Sequence, residues 1–143
     1  MTLKTQRGFT LIEIMVVVAI LAIVAAIAIP SYRDYVIRAN IMPAVSGLSS
    51  RQTLMEQCYQ DNHTYNPTAG CPACATDDSD KYFKFTCEKD ATTFTLTAEG
   101  KGQMSAFKYT VNQAGAKATT VTSGPSGWSG NTGCWVTSKG GAC

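Results

Sequence analysis

A run of 21 residues from Phe9 to Ile29, apolar except for Thr10 and Glu13, constrains this chain more than any other feature in it. As a helix rising about 1.5 Å per residue it would extend about 32 Å, matching the ~30 Å hydrocarbon core of a bilayer. A short polar leader, Met1–Gly8, precedes it and carries Lys4 and Arg7. Basic residues on that flank place the N-terminus in the cytoplasm and everything after Pro30 on the far side of the membrane. The six cysteines all follow Pro30, in the compartment where disulfides persist. A secretory signal peptide also starts basic and turns apolar, but it keeps charge out of the apolar stretch and ends in a small-x-small cleavage site. Here Glu13 interrupts the run near its start, and the sharpest small-residue boundary, Gly8, comes before the run. A charged side chain at mid-helix costs roughly 2.5 to 3.5 kcal/mol on insertion scales, less near an end, so Glu13 needs a reason to be there.

The segment Gly8-Phe9-Thr10-Leu11-Ile12-Glu13, behind its basic leader, resembles the class III signal of the type IV pilins. The resemblance implies that a prepilin peptidase cuts after Gly8 and methylates the new terminus at Phe9, and that Glu13 serves subunit assembly. Elementary electrostatics agrees: cleavage creates an α-amino cation at Phe9, and a carboxylate about one helical turn along can pair with such an amine on a neighbouring subunit in a low-dielectric bundle. The resemblance also implies insertion in the inner membrane as a prepilin, recruitment by the inner-membrane assembly platform, and polymerisation with other pilin subunits. The product would be an extracellular pilus used for adhesion, twitching motility or DNA uptake. A DNA-binding pilin of the competence machinery or a pseudopilin of a type II secretion system is the related alternative. None of these implies a cofactor.

Four segments follow: a cleaved leader 1–8, a transmembrane or filament-core helix 9–29, an amphipathic outer helix 30–60, and a disulfide-stabilised head 61–143. In the outer helix Tyr32, Val36, Ala39, Val45, Leu48, Leu54, Met55, Cys58 and Tyr59 fall near one stripe. Continuous from Phe9 to Gln57, the helix would reach about 74 Å. Pro30 and Pro43 each remove an i to i−4 hydrogen bond and are read as kinks or local melting points, with Gly47 a third interruption. The stripe and the pair Tyr32 and Tyr35 are read as packing rather than as a recognition surface.

Beyond Asn66-Pro67 the period changes from helical to alternating. Phe83, Phe85 and Cys87, then Phe94, Leu96 and Ala98, then Phe107, Tyr109 and Val111 each mark one apolar face of a strand, and Ala116–Thr122 is a weaker fourth. Short connections, the last through Asn112-Gln113-Ala114-Gly115, imply an antiparallel meander that must be covered on one face. The fold expected is α+β: a long N-terminal helical spine, transmembrane in its first half, on a four-stranded antiparallel sheet. Such a head also resembles that of a pilin.

Six cysteines allow 15 pairings, among which sequence alone does not choose. Cys134 and Cys143 resemble the C-terminal disulfide loop of pilins, and Cys134-Trp135-Val136 resembles PilE-type minor pilins. Pairing Cys74 to Cys87 and Cys58 to Cys71 would tie helix end, loop and first strand together, and is one arrangement left open. Zinc at Cys71-Pro72-Ala73-Cys74 would need reduced thiols and a second closely spaced pair. His63 is the only histidine and stands in a turn-like stretch, so no triad can be assembled around it and no enzyme class competes. Asp77, Asp78 and Asp80 lack the spacing of a calcium loop and are read as a solvated acidic loop.

Charge gives little grip on nucleic acid: 12 basic against 10 acidic residues leave +2, and loss of Lys4 and Arg7 leaves zero. No acidic residue follows Glu99, however, and Lys101, Lys108, Lys117 and Lys139 are interleaved there with Phe107, Tyr109, Trp128 and Trp135. These four lysines are read first as a solvated face and otherwise as a weak phosphate-binding surface, the candidate DNA contacts, since no arginine follows Arg51.

Overall fold

The computed structural model describes residues 9–143. It divides into two compact units, one up to Val36 and one from Ile37 to Cys143. One helix, α1 (Leu11–Asn62), belongs partly to each. Its start is set by Thr10, whose Oγ1 accepts the Glu13 backbone N–H at 3.2 Å, the first half of a Thr-x-x-Glu capping box. At its end His63 turns left-handed at φ +53° and its N–H donates to the Tyr59 carbonyl at 2.7 Å. That geometry satisfies a carbonyl the helix would otherwise orphan.

The helix runs unbroken through Pro30, Pro43 and Gly47, which corrects the reading of the prolines as melting points. Each proline deletes a single bond of the i to i−4 ladder, and the helix continues past it. Ser31 and Ser46 also return their hydroxyls to the Ile27 and Met42 carbonyls, at 3.2 and 2.9 Å. The helix also extends past residue 60, the boundary expected from pattern.

In the second unit four strands, β1 (Phe83–Lys89), β2 (Phe94–Gly100), β3 (Phe107–Asn112) and β4 (Lys117–Val121), pair antiparallel in chain order. The expected meander is therefore present. Asp90 Oδ1 accepts the Thr92 and Thr93 N–H groups, both at 2.8 Å, to turn β1 into β2. Asn112 Oδ1 takes those of Ala114 and Ala116, both at 3.0 Å, while Gly115 supplies the φ of +72° that turns β3 into β4.

Register puts Phe85, Ala98, Tyr109 and Thr119 in one row of the core face. Ile41, Ala44, Leu48 and Met55 of α1 are wholly buried against that core. The seam is thus rotated from the stripe expected from sequence: Leu54 is 47% exposed, and Ile41 and Ala44, absent from that stripe, are fully buried. Gly47 permits the approach, since a Cβ there would lie 2.5 Å from Phe85 Cζ. The chain's last segment covers the rest of the core face. Tyr109 Oη donates to the Val136 carbonyl at 2.9 Å, and Thr119 Oγ1 accepts the Val136 N–H at 2.9 Å while donating to the Cys134 carbonyl at 3.0 Å.

Candidate functional site

The N-terminal unit presents apolar side chains on every side of its helix: Leu11 and Phe9 are 79% exposed and Ile27 71%. An apolar surface of that extent on all faces is poorly suited to water and fits lipid or other copies of such a helix. Helix α1 is long and apolar enough to cross a membrane by length and composition. Glu13 occupies the third helical position, where a carboxylate is favoured by the uncapped N–H groups of the first turn. This local role was missed from sequence, although Thr10 and Glu13 carry the capping-box spacing. The leader and the expected cut after Gly8 lie outside the described residues. Tyr32 and Tyr35 are 68% and 71% exposed, so the packing expected of them is not made within this chain.

In the head, three disulfides join Cys58 to Cys71, Cys74 to Cys87 and Cys134 to Cys143, with Cα separations of 6.0, 5.0 and 6.1 Å. Cys71 and Cys74 are committed to different bridges, which leaves no thiolate pair for zinc in that motif. Between them a 3-10 turn, Pro72–Cys74, is held by Arg51 of α1, whose guanidinium donates to the Ala73 and Ala75 carbonyls, both at 3.3 Å. The same group pairs with Asp77 Oδ2 at 2.6 Å and lies 4.8 Å from the Phe85 ring centre.

Each acidic side chain of this loop has its own structural partner. The Ser79 hydroxyl and N–H donate to Asp77 Oδ1 and, with Arg51, hold its carboxyl below the usual range. Asp78 is lowered chiefly by its ion pair with Lys101. Asp80 Oδ1 accepts the Tyr82 and Phe83 N–H groups, both at 2.8 Å, at the entrance to β1.

The four candidate DNA-contacting lysines do not form one surface. Lys101 is paired with Asp78. Lys108 is exposed on the outer face of β3, beside Glu99 and Thr120. Lys117 pairs in register with buried Val111, on the opposite face by the pleat, and its ammonium lies 4.2 Å from the Trp135 ring centre. Lys139 is exposed in the terminal loop, its stem beside Gly127. The aromatic residues interleaved with them are core: Phe107 and Tyr109 are at most 1% exposed, Trp128 7% and Trp135 6%. None offers an open ring for stacking on bases.

Residues 30–110, more than half of the chain, match the family model described as type IV minor pilin ComP, DNA uptake sequence receptor. The chain belongs to this family of type IV pilins. Residues 3–29 match the prokaryotic N-terminal methylation motif. Among curated relatives, the type IV major pilin protein PilE1 of Neisseria gonorrhoeae is 34% identical over 99 residues, 66% of this chain and 55% of that protein. A fimbrial protein of Pseudomonas aeruginosa is 56% identical over 54 residues, 38% of this chain and 35% of its own length. This pilin thus spans between about a third and about half of the length of these relatives. The non-core minor pilin PilV of Neisseria meningitidis shares the fold, with a TM-score of 0.52 at 20% identity over 64% of this chain and 94% of that one. The class III signal and the α+β pilin fold read from the residues are both present.

Proposed function

We propose that this pilin is a structural subunit of a type IV pilus, of the minor kind. It is inserted in the inner membrane with its N-terminus cytoplasmic, cut after Gly8 by the prepilin peptidase, and methylated at Phe9. The assembly platform then draws it, with other pilin subunits, into an extracellular filament, where Glu13 aligns neighbours by pairing with the amine of Phe9. The observation that carries this reading is the helix surface from Phe9 to Ile29, apolar and exposed on all sides, with one carboxylate in its first turn. Such a surface can be covered by lipid before assembly and by sister helices afterwards, and the lone carboxylate sets their register. Mass spectrometry of sheared surface filaments tests it. A peptide beginning at methylated Phe9 is expected in the filament fraction; a chain found only in membranes and still carrying Met1–Gly8 overturns the proposal.

A second reading, DNA capture by the head, is supported by the matched family model's description as a DNA uptake sequence receptor. The outer sheet face, where Lys84 and Lys108 flank Glu99, is then the better candidate surface than the end of β4, where Lys117 is held against Trp135. Retention of DNA by the full chain in detergent should fall with salt and with Lys108→Ala, and should be indifferent to Lys117→Ala. Equal loss from both variants counts against this surface.

A further inference from the structure

We propose that Tyr32, Tyr35 and Arg33 form an interfacial anchor that seats the unassembled helix in the lipid headgroup layer of the far leaflet. The inference rests on the membrane-inserted stage of the function proposed above and assigns a lipid contact to it. Tyr32 and Tyr35 lie three residues apart on one helix face and are 68% and 71% exposed, so among the described residues their rings are largely uncovered. The apolar run ends at Ile29, itself 53% exposed. If that run fills the hydrocarbon core, the Cα atoms of Tyr32 and Tyr35 stand about 4 to 9 Å beyond it, at the depth of the headgroup layer.

Helical side chains lean toward the helix N-terminus, so from these levels both rings reach back toward the acyl boundary and stay within the interfacial layer. An amphipathic ring is at its most stable there. Arg33 is exposed and brings the cation that lipid phosphates take, whereas Asp34 beside it is half-buried. Ser31, at the boundary itself, donates its hydroxyl to the Ile27 carbonyl at 3.2 Å and so adds no unsatisfied donor at the edge of the core. A second copy of this chain is the competing occupant, but the level of the rings beyond the apolar run and the exposed cation between them fit a bilayer surface.

The test uses the full chain reconstituted in phosphatidylcholine and phosphatidylglycerol vesicles whose acyl chains carry bromine at shallow or deep positions. Trp128 and Trp135 supply a constant background, against which the added emission of Tyr35→Trp and of Leu21→Trp is read. The Tyr35→Trp signal should be quenched most by shallow bromine and the Leu21→Trp signal most by deep bromine. Adding Tyr32→Ala with Tyr35→Ala to Leu21→Trp should shift that reporter's quenching maximum in depth, whereas Tyr32→Phe with Tyr35→Phe, which keeps the rings, should shift it less. Arg33→Ala should shift it and Arg33→Lys restore it.

A deeply quenched Leu21→Trp together with a Tyr35→Trp reached only by aqueous acrylamide overturns the anchor and leaves the membrane reading standing. Absence of bromine quenching at both positions overturns both. An unchanged depth in the double alanine variant, with filament incorporation lost, assigns the tyrosines to a neighbouring copy and overturns the lipid contact.

Discussion

Arg51 and Asp77, 26 residues apart in the chain, meet at 2.6 Å and join the outer part of α1 to the loop that enters β1. The guanidinium also closes on two carbonyls of the loop and on the face of Phe85, so one side chain ties helix, turn and strand together. Arg51→Ala should therefore destabilise the head by about 2 kcal/mol, through lost carbonyl hydrogen bonds and lost packing. Chemical denaturation of the full chain with its disulfides intact measures it. A change within a few tenths of a kcal/mol would mean that the two neighbouring disulfides alone position the loop.

Acid should weaken the same junction. The Asp77 carboxyl lies below its ordinary value of 3.8, because Ser79 and then Arg51 favour its charged form. Its contribution is therefore fully present above that value and is lost as pH falls through the lower folded one. Asp78 and Asp90 are lowered as well and act in the same direction. Melting temperature should drop below about pH 4, and Asp77→Asn should flatten the drop. A melting curve of the variant with undiminished acid sensitivity would remove Asp77 from the account.

Alkali probes the opposite side of the core. Burial raises the Tyr109 phenol above its usual range, and its hydroxyl donates to the Val136 carbonyl. Stability from the neutral phenol is present below the unfolded value of 10.0 and is lost as pH rises toward the folded one. Tyr109→Phe should cost about 1 to 2 kcal/mol at neutral pH by orphaning that carbonyl, and should move the onset of alkaline unfolding upward. An onset that stays where it was indicates that another group governs it.

Gly47 is a test of helix-on-sheet contact. Alanine there would gain about 1 kcal/mol in helix propensity, but its Cβ would stand 2.5 Å from a Phe85 ring that is only 5% exposed and pressed by Arg51. Net destabilisation of about 1 to 2 kcal/mol is expected. Gly47→Ala with Phe85→Leu should recover part of the contact loss, which a double-mutant cycle reads directly.

Processing and assembly should separate genetically. Gly8→Val should block the cut, whereas Glu13→Val should leave it intact and impair incorporation into filaments. Since Glu13 also sits in the first helical turn, Thr10→Val gives the size of the capping effect alone, about 1 kcal/mol at the helix start. Equal incorporation of Glu13→Val and the parent would dismiss the carboxylate as an alignment group.

Pattern in the chain was enough for the apolar run, the four strands and their antiparallel order, because each rests on periodicity or on turn chemistry local to a few residues, while the class III signal was legible through the resemblance of Gly8–Glu13 to the pilins. Phe83, Phe85, Phe94, Leu96, Phe107, Tyr109 and Val111 all face the core as alternation requires. The helix seam was not legible in the same way. Between Tyr32 and Tyr59 apolar residues lie on more than one face, and the sheet selects Ile41, Ala44, Leu48, Met55 and Cys58 from among them. Tyr32, Tyr35 and Leu54 stay outside.

By itself, then, the amino-acid order determined what this pilin is built from: a bilayer-length helix within an N-terminal methylation motif, and a strand meander after it. Tertiary structure decided which groups are used up. It drew Lys101 to Asp78, Lys117 to Trp135 and both tryptophans into the core, and it left Lys108, Tyr32 and Tyr35 facing outward. Such outcomes depend on contacts between residues tens of positions apart, formed only once the sheet and its covering elements exclude water, and no local period encodes them.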